Sequence, residues 1–348
     1  MYPKMIIDKK KFENNIALVR EALNKAGISF TFVTKCFCAL PDLTNIAKKY
    51  ADHLGDTRAM NLERLGTDKP RVLLRLPMPG EAHSVVRFAD MSLNSELETV
   101  RALDAAAGAL SRAHRIILMF DLGDLREGYF SADEMLADAA VMAKLPNIRI
   151  VGVGVNLSCY GGVVPELSHM NRMVGLAGEL SGVLGYDLEI VSGGGSSSLK
   201  FVFDNSMPRG ITNLRIGEAV LTGLDPATGA PYPGLHRDVF TFEAEVIEIK
   251  EKPSVPSGQV GLNAFGEKPT IEDRGIRRRA ILAAGRQDVD PDGLTPINDA
   301  HIVIGASSDH LLIDVHDDKT LRVGQTISFT CSYSAILRAF TGPYVGKE

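Results

Sequence analysis

From residue 29 onward the chain alternates short apolar or β-branched runs with stretches whose apolar residues recur at helical spacing. That alternation is the signature of βα units around a parallel sheet. The runs Ser29–Thr34, Asp52–Gly55, Arg71–Leu76, Asp90–Leu93, Arg115–Phe120, Arg149–Val155, Leu188–Ser192 and Asn213–Ile216 are predicted strands, eight in all. Between them the spacing predicts helices over Leu40–Tyr50, Ala59–Leu65, Glu81–Phe88, Ser95–Ala107, Ala132–Lys144 and Pro165–Gly185, several opened by a Ser, Asp or Asn suited to capping. Eight such units fit an α/β chain folded as a TIM-type (β/α)8 barrel, whose active site forms at the C-terminal ends of its strands. A doubly wound sheet is the alternative, but no Gly-x-Gly-x-x-Gly turn follows the first strand to favour it.

The pattern breaks at residues 223–235, a Pro- and Gly-rich stretch. Beyond it the helical period disappears, and Phe240–Lys250, Arg279–Ala284, Ala300–Ile304, Leu311–Val315 and Thr326–Thr330 are predicted strands without intervening helices. The expected organisation is a barrel domain over residues 1–225 followed by a smaller, mainly β C-terminal domain over 236–348, with an N-terminal strand at 4–8 available to pack with it. Residues 251–279 show no clear period and read as a long functional loop, and there is no internal repeat.

Composition narrows the partners. The chain has 348 residues, 45% of them apolar and 23% charged, with a formal net charge of −5 and no long block of one sign. Nothing there favours nucleic acid or an acidic membrane surface, which leaves small polar molecules as the expected ligands. The start, Met-Tyr-Pro-Lys-Met-Ile-Ile-Asp, lacks the basic and apolar regions of a signal peptide, and no apolar run reaches the roughly 18 residues a span requires. The expectation is a soluble, cytoplasmic protein. Four cysteines, at 36, 38, 159 and 331, are too few and too scattered for a disulfide framework and read as reduced thiols.

Three positions carry candidate chemistry. Lys35 follows the first strand, where a partly desolvated amine would form an imine with an aldehyde, although a lone lysine at a strand end is ordinarily a surface charge. Residues 191–198, Val-Ser-Gly-Gly-Gly-Ser-Ser-Ser, follow the seventh strand and offer backbone N–H groups and hydroxyls to a phosphate; a flexible linker is the competing reading. Arg215, in the eighth strand, would project into the same mouth, to meet a phosphate, a carboxylate or a ring nitrogen, or to form a structural ion pair.

Taken together these segments resemble the alanine racemase family of fold-type III pyridoxal 5′-phosphate enzymes, especially its ornithine racemase-like branch, over nearly the whole chain. The resemblance implies that Lys35, in Val33-Thr34-Lys35, holds the cofactor as a Schiff base and that Ser196 binds its phosphate. In Arg215-Ile216-Gly217-Glu218 the arginine would face the pyridine nitrogen, with Gly217 and Glu218 donating backbone N–H groups to the phosphate. The Ser332-Tyr333 pair would place the Tyr333 hydroxyl on the same phosphate. The segment 120–128, Phe-Asp-Leu-Gly-Asp-Leu-Arg-Glu-Gly, resembles the family's Asp-x-Gly-x-x-Arg-x-Gly, which gives Arg126 the substrate carboxylate; a loop arginine paired with Asp124 or Glu127 is the plainer alternative. An arginine against the pyridine nitrogen weakens the ring as an electron sink, which suits brief deprotonation and reprotonation at Cα.

The departures bear on mechanism. Racemisation needs a base on each face of Cα, and Lys35 serves one. Where alanine racemases carry Gly-Tyr-x-Asp, with a tyrosine from the partner subunit of a homodimer, this chain reads Gly285-Arg286-Gln287-Asp288, and arginine is a poor base. Asp288, Asp309, His310 and Cys331 are the candidates nearby. Met119 stands where many relatives have a lysine that supports the arginine, Asn156 replaces a histidine that contacts the pyridine-binding arginine, and Ala39 replaces a tyrosine. Asp288, Asp309 and Glu218 would suit a substrate ammonium, which points to ornithine or lysine. A decarboxylase of the same fold would carry Cys-Glu-Ser where this chain has Cys331-Ser332-Tyr333, a non-catalytic cofactor carrier would not need the β domain, and His301, His310 and His316 lack a zinc spacing, so no metal is expected.

Overall fold

After a short strand β1 (Lys4–Ile7) and helix α1 (Lys9–Ala26), eight parallel strands follow in chain order. They are β2 (Ser29–Val33), β3 (His53–Asp56), β4 (Arg71–Leu73), β5 (Met91–Asn94), β6 (His114–Met119), β7 (Ile148–Gly154), β8 (Ile190–Ser192) and β9 (Asn213–Ile216). Each pairs with the next, and β9 returns to β2 with Ile216 opposite Phe32, so the barrel is closed. Helices α2 (Pro41–Ala47), α3 (Ala59–Arg64), α4 (Ala82–Phe88), α5 (Leu97–Ala109), α6 (Ala132–Met142), α7 (Leu167–Leu184), α8 (Lys200–Phe203) and α9 (Glu218–Thr222) follow the strands in turn. The computed structural model describes residues 2–268 and 271–348.

Strands buried on both faces read as continuous apolar runs, which is why they were visible in the sequence. Inside the barrel Val72, Met91, Leu93, Ile117, Met119, Val151 and Ile190 form one cluster, with Leu74 and Leu76 packed against it. Helix α1 was not foreseen by the pattern, although its buried residues Phe12, Asn15, Ile16, Val19 and Leu23 recur at helical spacing. It matters to the site because Phe12 meets Phe32 of β2 edge-on at 5.8 Å and Phe37, just beyond β2, at 6.3 Å.

The chain forms two compact units, Lys9–Arg237 and a second made of Met1–Asp8 with Asp238–Glu348. The Pro- and Gly-rich stretch that interrupts the sequence pattern therefore folds with the barrel. Its Tyr232 is buried and stacks on Phe203 at 5.4 Å.

In the second unit β10 (Phe240–Pro253), β11 (Ile276–Leu282), β12 (Leu294–Pro296), β13 (Ile302–Ala306), β14 (Leu311–Asp314) and β15 (Thr326–Cys331) build a sheet in the order β12-β15-β10-β11-β14-β13. Its pairings are antiparallel. Strand β1 adds to β10, with Met5 opposite Phe242. The alternation along β10, with Phe240, Phe242, Ala244 and Val246 buried, is the period-two pattern of a sheet with one covered face. Two expectations are corrected here. A helix, α10 (Tyr333–Thr341), follows β15, where no helical period was read; Ser332 caps it, and Ala335, Ile336, Ala339 and Phe340 form its buried stripe. The aperiodic stretch 251–279 is in part sheet, since Glu251 pairs with Arg278 and Pro253 with Ile276; its Pro269 and Thr270 lie outside the described residues.

Candidate active site

Lys35 stands immediately after β2 and opens a 3-10 turn, Lys35–Phe37, that the sequence pattern did not show. The residue before it is fixed from below: the Thr34 hydroxyl donates to Asp56 Oδ2 at 2.7 Å. The other oxygen of this fully buried carboxylate accepts from Thr57 N, Arg58 N and Asn61 Nδ2. Phe37, 1% exposed, is held by Phe12 and Phe32, so the half-buried lysine leaves a turn pinned at both ends. Asp56 and the phenylalanine cluster gave no signal of a site in the sequence, because a buried anchor has no distinctive spacing.

Across the mouth, the loop after β8 enters a second 3-10 turn at Ser196. Ser196 Oγ accepts from Ala219 N at 3.1 Å and Gly217 N at 3.4 Å, and its carbonyl accepts from the Tyr232 hydroxyl at 2.7 Å. Ser198 Oγ is buried without a hydrogen-bond partner among the described residues. An unsatisfied buried hydroxyl calls for an acceptor, and a phosphate would provide one.

Arg215, 7% exposed, donates through Nη1 to Ser192 Oγ at 2.5 Å and through Nη2 to the Val155 carbonyl at 2.7 Å. Those bonds leave its Nε without an acceptor among the described residues. Burial lowers its pKa to about 10, with the nearby Glu127 acting in the opposite sense, so the group remains a cation at neutral pH. Glu218, the first residue of α9, is half-buried; burial pushes its carboxyl up to about 7, while Lys35 pulls it down.

The loop after β6 carries Arg126. Asp121 Oδ1 accepts from Gly123 N and Leu125 N, and Gly128, at φ 126°, lies so close to the strand that a Cβ would sit 2.7 Å from Asp121 N. Glycine is required there. Asp124 does not pair with Arg126: it accepts from the backbone N–H groups of Ser158, Cys159, Tyr160 and Val163, tying the loop after β7 to this one. Glu127 takes Arg126 at Nε and Nη2. The Asn156 amide, with its oxygen turned toward the guanidinium, accepts from the same nitrogens, at 3.2 Å from Nε. Burial opposes the charge of Arg126, yet Glu127 outweighs it and raises its pKa. Asn156 thus belongs to Arg126, and the partners of Arg215 are Ser192 and the Val155 carbonyl.

Lys35, Arg126, Asn156, Ser196, Arg215, Gly217 and Glu218 all stand on loops or strand ends at one end of the barrel. The remaining candidates lie in the β-rich unit. Asp288 is 4% exposed and accepts from Gly285 N at 2.9 Å; burial raises its pKa. His310 Nδ1 meets Asp309 Oδ1 at 3.1 Å, with both side chains exposed. The two loops are joined by Arg286 N to Ser307 O and Gln287 N to Ser308 O, so Asp288 and His310 fall in one patch. Tyr333 is the first residue of α10. Among the described residues there is no group of three His, Cys, Asp or Glu arranged to hold a metal ion, and no helix is long and apolar enough to cross a membrane.

A model of the alanine racemase N-terminal domain matches residues 7–226. The chain belongs to the alanine racemase family. It is 45% identical to the ornithine racemase of Acetoanaerobium sticklandii, over 100% of this chain and 99% of that protein. It is 38% identical to the lysine racemase of Thermotoga maritima, over 100% and 98%. Among solved structures, the alanine racemase from D-cycloserine producing Streptomyces lavendulae superposes with a TM-score of 0.75 at 18% identity, over 99% of this chain and 96% of that one. The alanine racemase from Bartonella henselae with covalently bound pyridoxal phosphate does so at 0.71 and 15%, over 99% and 98%. Alanine racemase family enzymes use pyridoxal 5′-phosphate, and the mouth of this barrel fits it: an amine, an orphaned hydroxyl beside a Gly-rich turn, and a buried arginine stand together.

Proposed function

We propose that the protein racemises a free basic amino acid, ornithine or lysine, using pyridoxal 5′-phosphate. The observation that carries this reading is the full-length likeness to an ornithine and a lysine racemase in a chain that keeps Lys35 and Arg215 at one barrel mouth.

Lys35 would hold the cofactor through its amine, and Ser196 with the backbone N–H groups of Gly217 and Glu218 would take the phosphate. The bound cofactor supplies an electron-accepting ring that acidifies the Cα–H of an attached amino acid. Arg215 keeps its proton at neutral pH and would hold the ring nitrogen unprotonated, which limits how long negative charge persists and disfavours elimination and transamination. Arg126 would receive the substrate carboxylate, kept in place by Glu127 and Asn156.

Lys35 moves the proton on one face of Cα. For the other face His310 of a second copy fits better than Asp288. The imidazole is exposed and oriented by Asp309, whereas the Asp288 carboxylate is committed to its own turn. The active unit is therefore a homodimer with shared sites, acting in the cytoplasm.

Incubation with the L enantiomers of ornithine, lysine, alanine and serine, followed by chiral separation, tests the assignment. D-ornithine or D-lysine formed at least ten times faster than D-alanine is expected; preference for alanine would overturn it.

A further inference from the structure

The resemblance to the family implies a role for Glu218 only through its backbone N–H, yet its side chain stands where its charge bears on Lys35. Phe32 of β2 is opposite Ile216 of β9, so the chain leaves the two neighbouring strands side by side, toward Lys35 on one and Glu218 on the other. Gly217 makes the approach close: a Cβ there would lie 2.9 Å from Val33 Cβ and 3.0 Å from the Val33 carbonyl. The half-buried Glu218 carboxyl accepts no hydrogen bond from the described residues, although its carbonyl accepts from the Thr222 hydroxyl. The charges that bear on it are Lys35 and, more weakly, Asp225. From α1, which packs on α9, the group presented is the neutral Asn15 amide, bonded to the Val220 carbonyl. A desolvated carboxyl with one cationic neighbour and no donors of its own exchanges protons with that neighbour more readily than it forms a fixed structural bridge.

We infer that Glu218 is a positioning residue for Lys35, its ionised carboxylate holding the lysine as the ammonium until the proton passes to the carboxylate and frees the amine. In that step an N–H bond of Lys35 breaks, an O–H bond forms on Glu218, and no other reactant is consumed. The carboxyl titrates near neutrality, so it can hold the proton or return it within the working range. Glu218 does not touch Cα; it sets how much of Lys35 is nucleophilic and basic. The inference rests on Lys35 as the cofactor lysine.

The test uses the full-length chain freed of cofactor and the small aldehyde pyridoxal, which has no phosphate and so leaves the phosphate loop out of the reading. Borohydride trapping and peptide mass spectrometry follow modification of Lys35 between pH 5.5 and 9, with pyridoxal phosphate itself as a second arm. Above pH 7 an ionised Glu218 favours the ammonium, so Glu218→Gln should react three- to tenfold faster than wild type. Below pH 6, where Glu218 is protonated, the two should converge. Glu218→Met, also uncharged, should follow Glu218→Gln, and Glu218→Asp should return toward wild type. Uncharged variants that track wild type at every pH, or that differ by a constant factor including at pH 5.5, would overturn the inference. Absence of any label on Lys35 in wild type would instead overturn the assignment of the cofactor lysine.

Discussion

Arg126 gives its Nε and Nη2 to the carboxylate of its chain neighbour Glu127, and the same edge of the guanidinium faces the Asn156 amide. Arg126 is therefore held by a carboxylate and an amide. A guanidinium fixed before substrate arrives loses less rotamer freedom on binding a carboxylate.

Glu127→Gln should raise KM for the amino acid by about tenfold, equal to about 1.4 kcal/mol, while kcat changes less, because a binding contact is weakened rather than the proton transfers. Steady-state kinetics in both directions checks this. An equal fall in kcat with KM unchanged would assign Glu127 to the chemical step.

His114, at the start of β6, is 1% exposed, and its Nε2 meets Ser92 Oγ at 2.8 Å. That hydroxyl also accepts from Asn94 Nδ2 at 2.9 Å, and the buried imidazole is neutral at pH 7. Burial, with Arg112 adding to it, lowers the histidine from 6.5 to about 4. The unfolded chain therefore takes the proton first. The stabilising contribution is fully present above pH 6.5 and is lost as pH falls toward 4, by about 3 kcal/mol at 1.36 kcal/mol per unit. Urea unfolding from pH 7 to 4 should show a shallower loss in His114→Gln than in wild type. Asp124 and Asp318, already lowered, act at more acidic pH.

A site shared between copies predicts complementation. Lys35→Ala and His310→Ala chains, each inactive alone, should recover racemisation when unfolded and refolded together, because every mixed dimer carries one site with both residues intact. Recovery measured against each variant refolded by itself checks it. No recovery, with mixed dimers shown to form, would place both bases in one chain.

The barrel was legible because each strand is buried on both faces and reads as an apolar run, and the second unit because β10 alternates strictly. Lys35, Ser196, Arg215 and Arg126 drew attention because they stand in short segments whose order resembles a family's, and they fall at one end of the barrel. What escaped notice depends on tertiary contact. Helix α1 has charged residues through its exposed face and precedes the first strand, so the βα reading began after it. Helix α10 is only nine residues long and follows directly on a strand. Tyr232 was lost in a stretch whose Pro and Gly content marks a boundary, although its hydroxyl supports Ser196. Asp56 and Glu127 act through the residues they hold, and no spacing in the sequence announces that.

The most direct test of the account follows Cα itself. Wild type and Lys35→Ala, both supplied with pyridoxal phosphate, are incubated in D₂O with L-ornithine and with L-lysine, and deuterium at Cα is measured together with the D to L ratio. The account predicts deuterated D-product from wild type and neither exchange nor inversion from Lys35→Ala. Exchange without inversion in wild type, or inversion that survives the loss of Lys35, would contradict it.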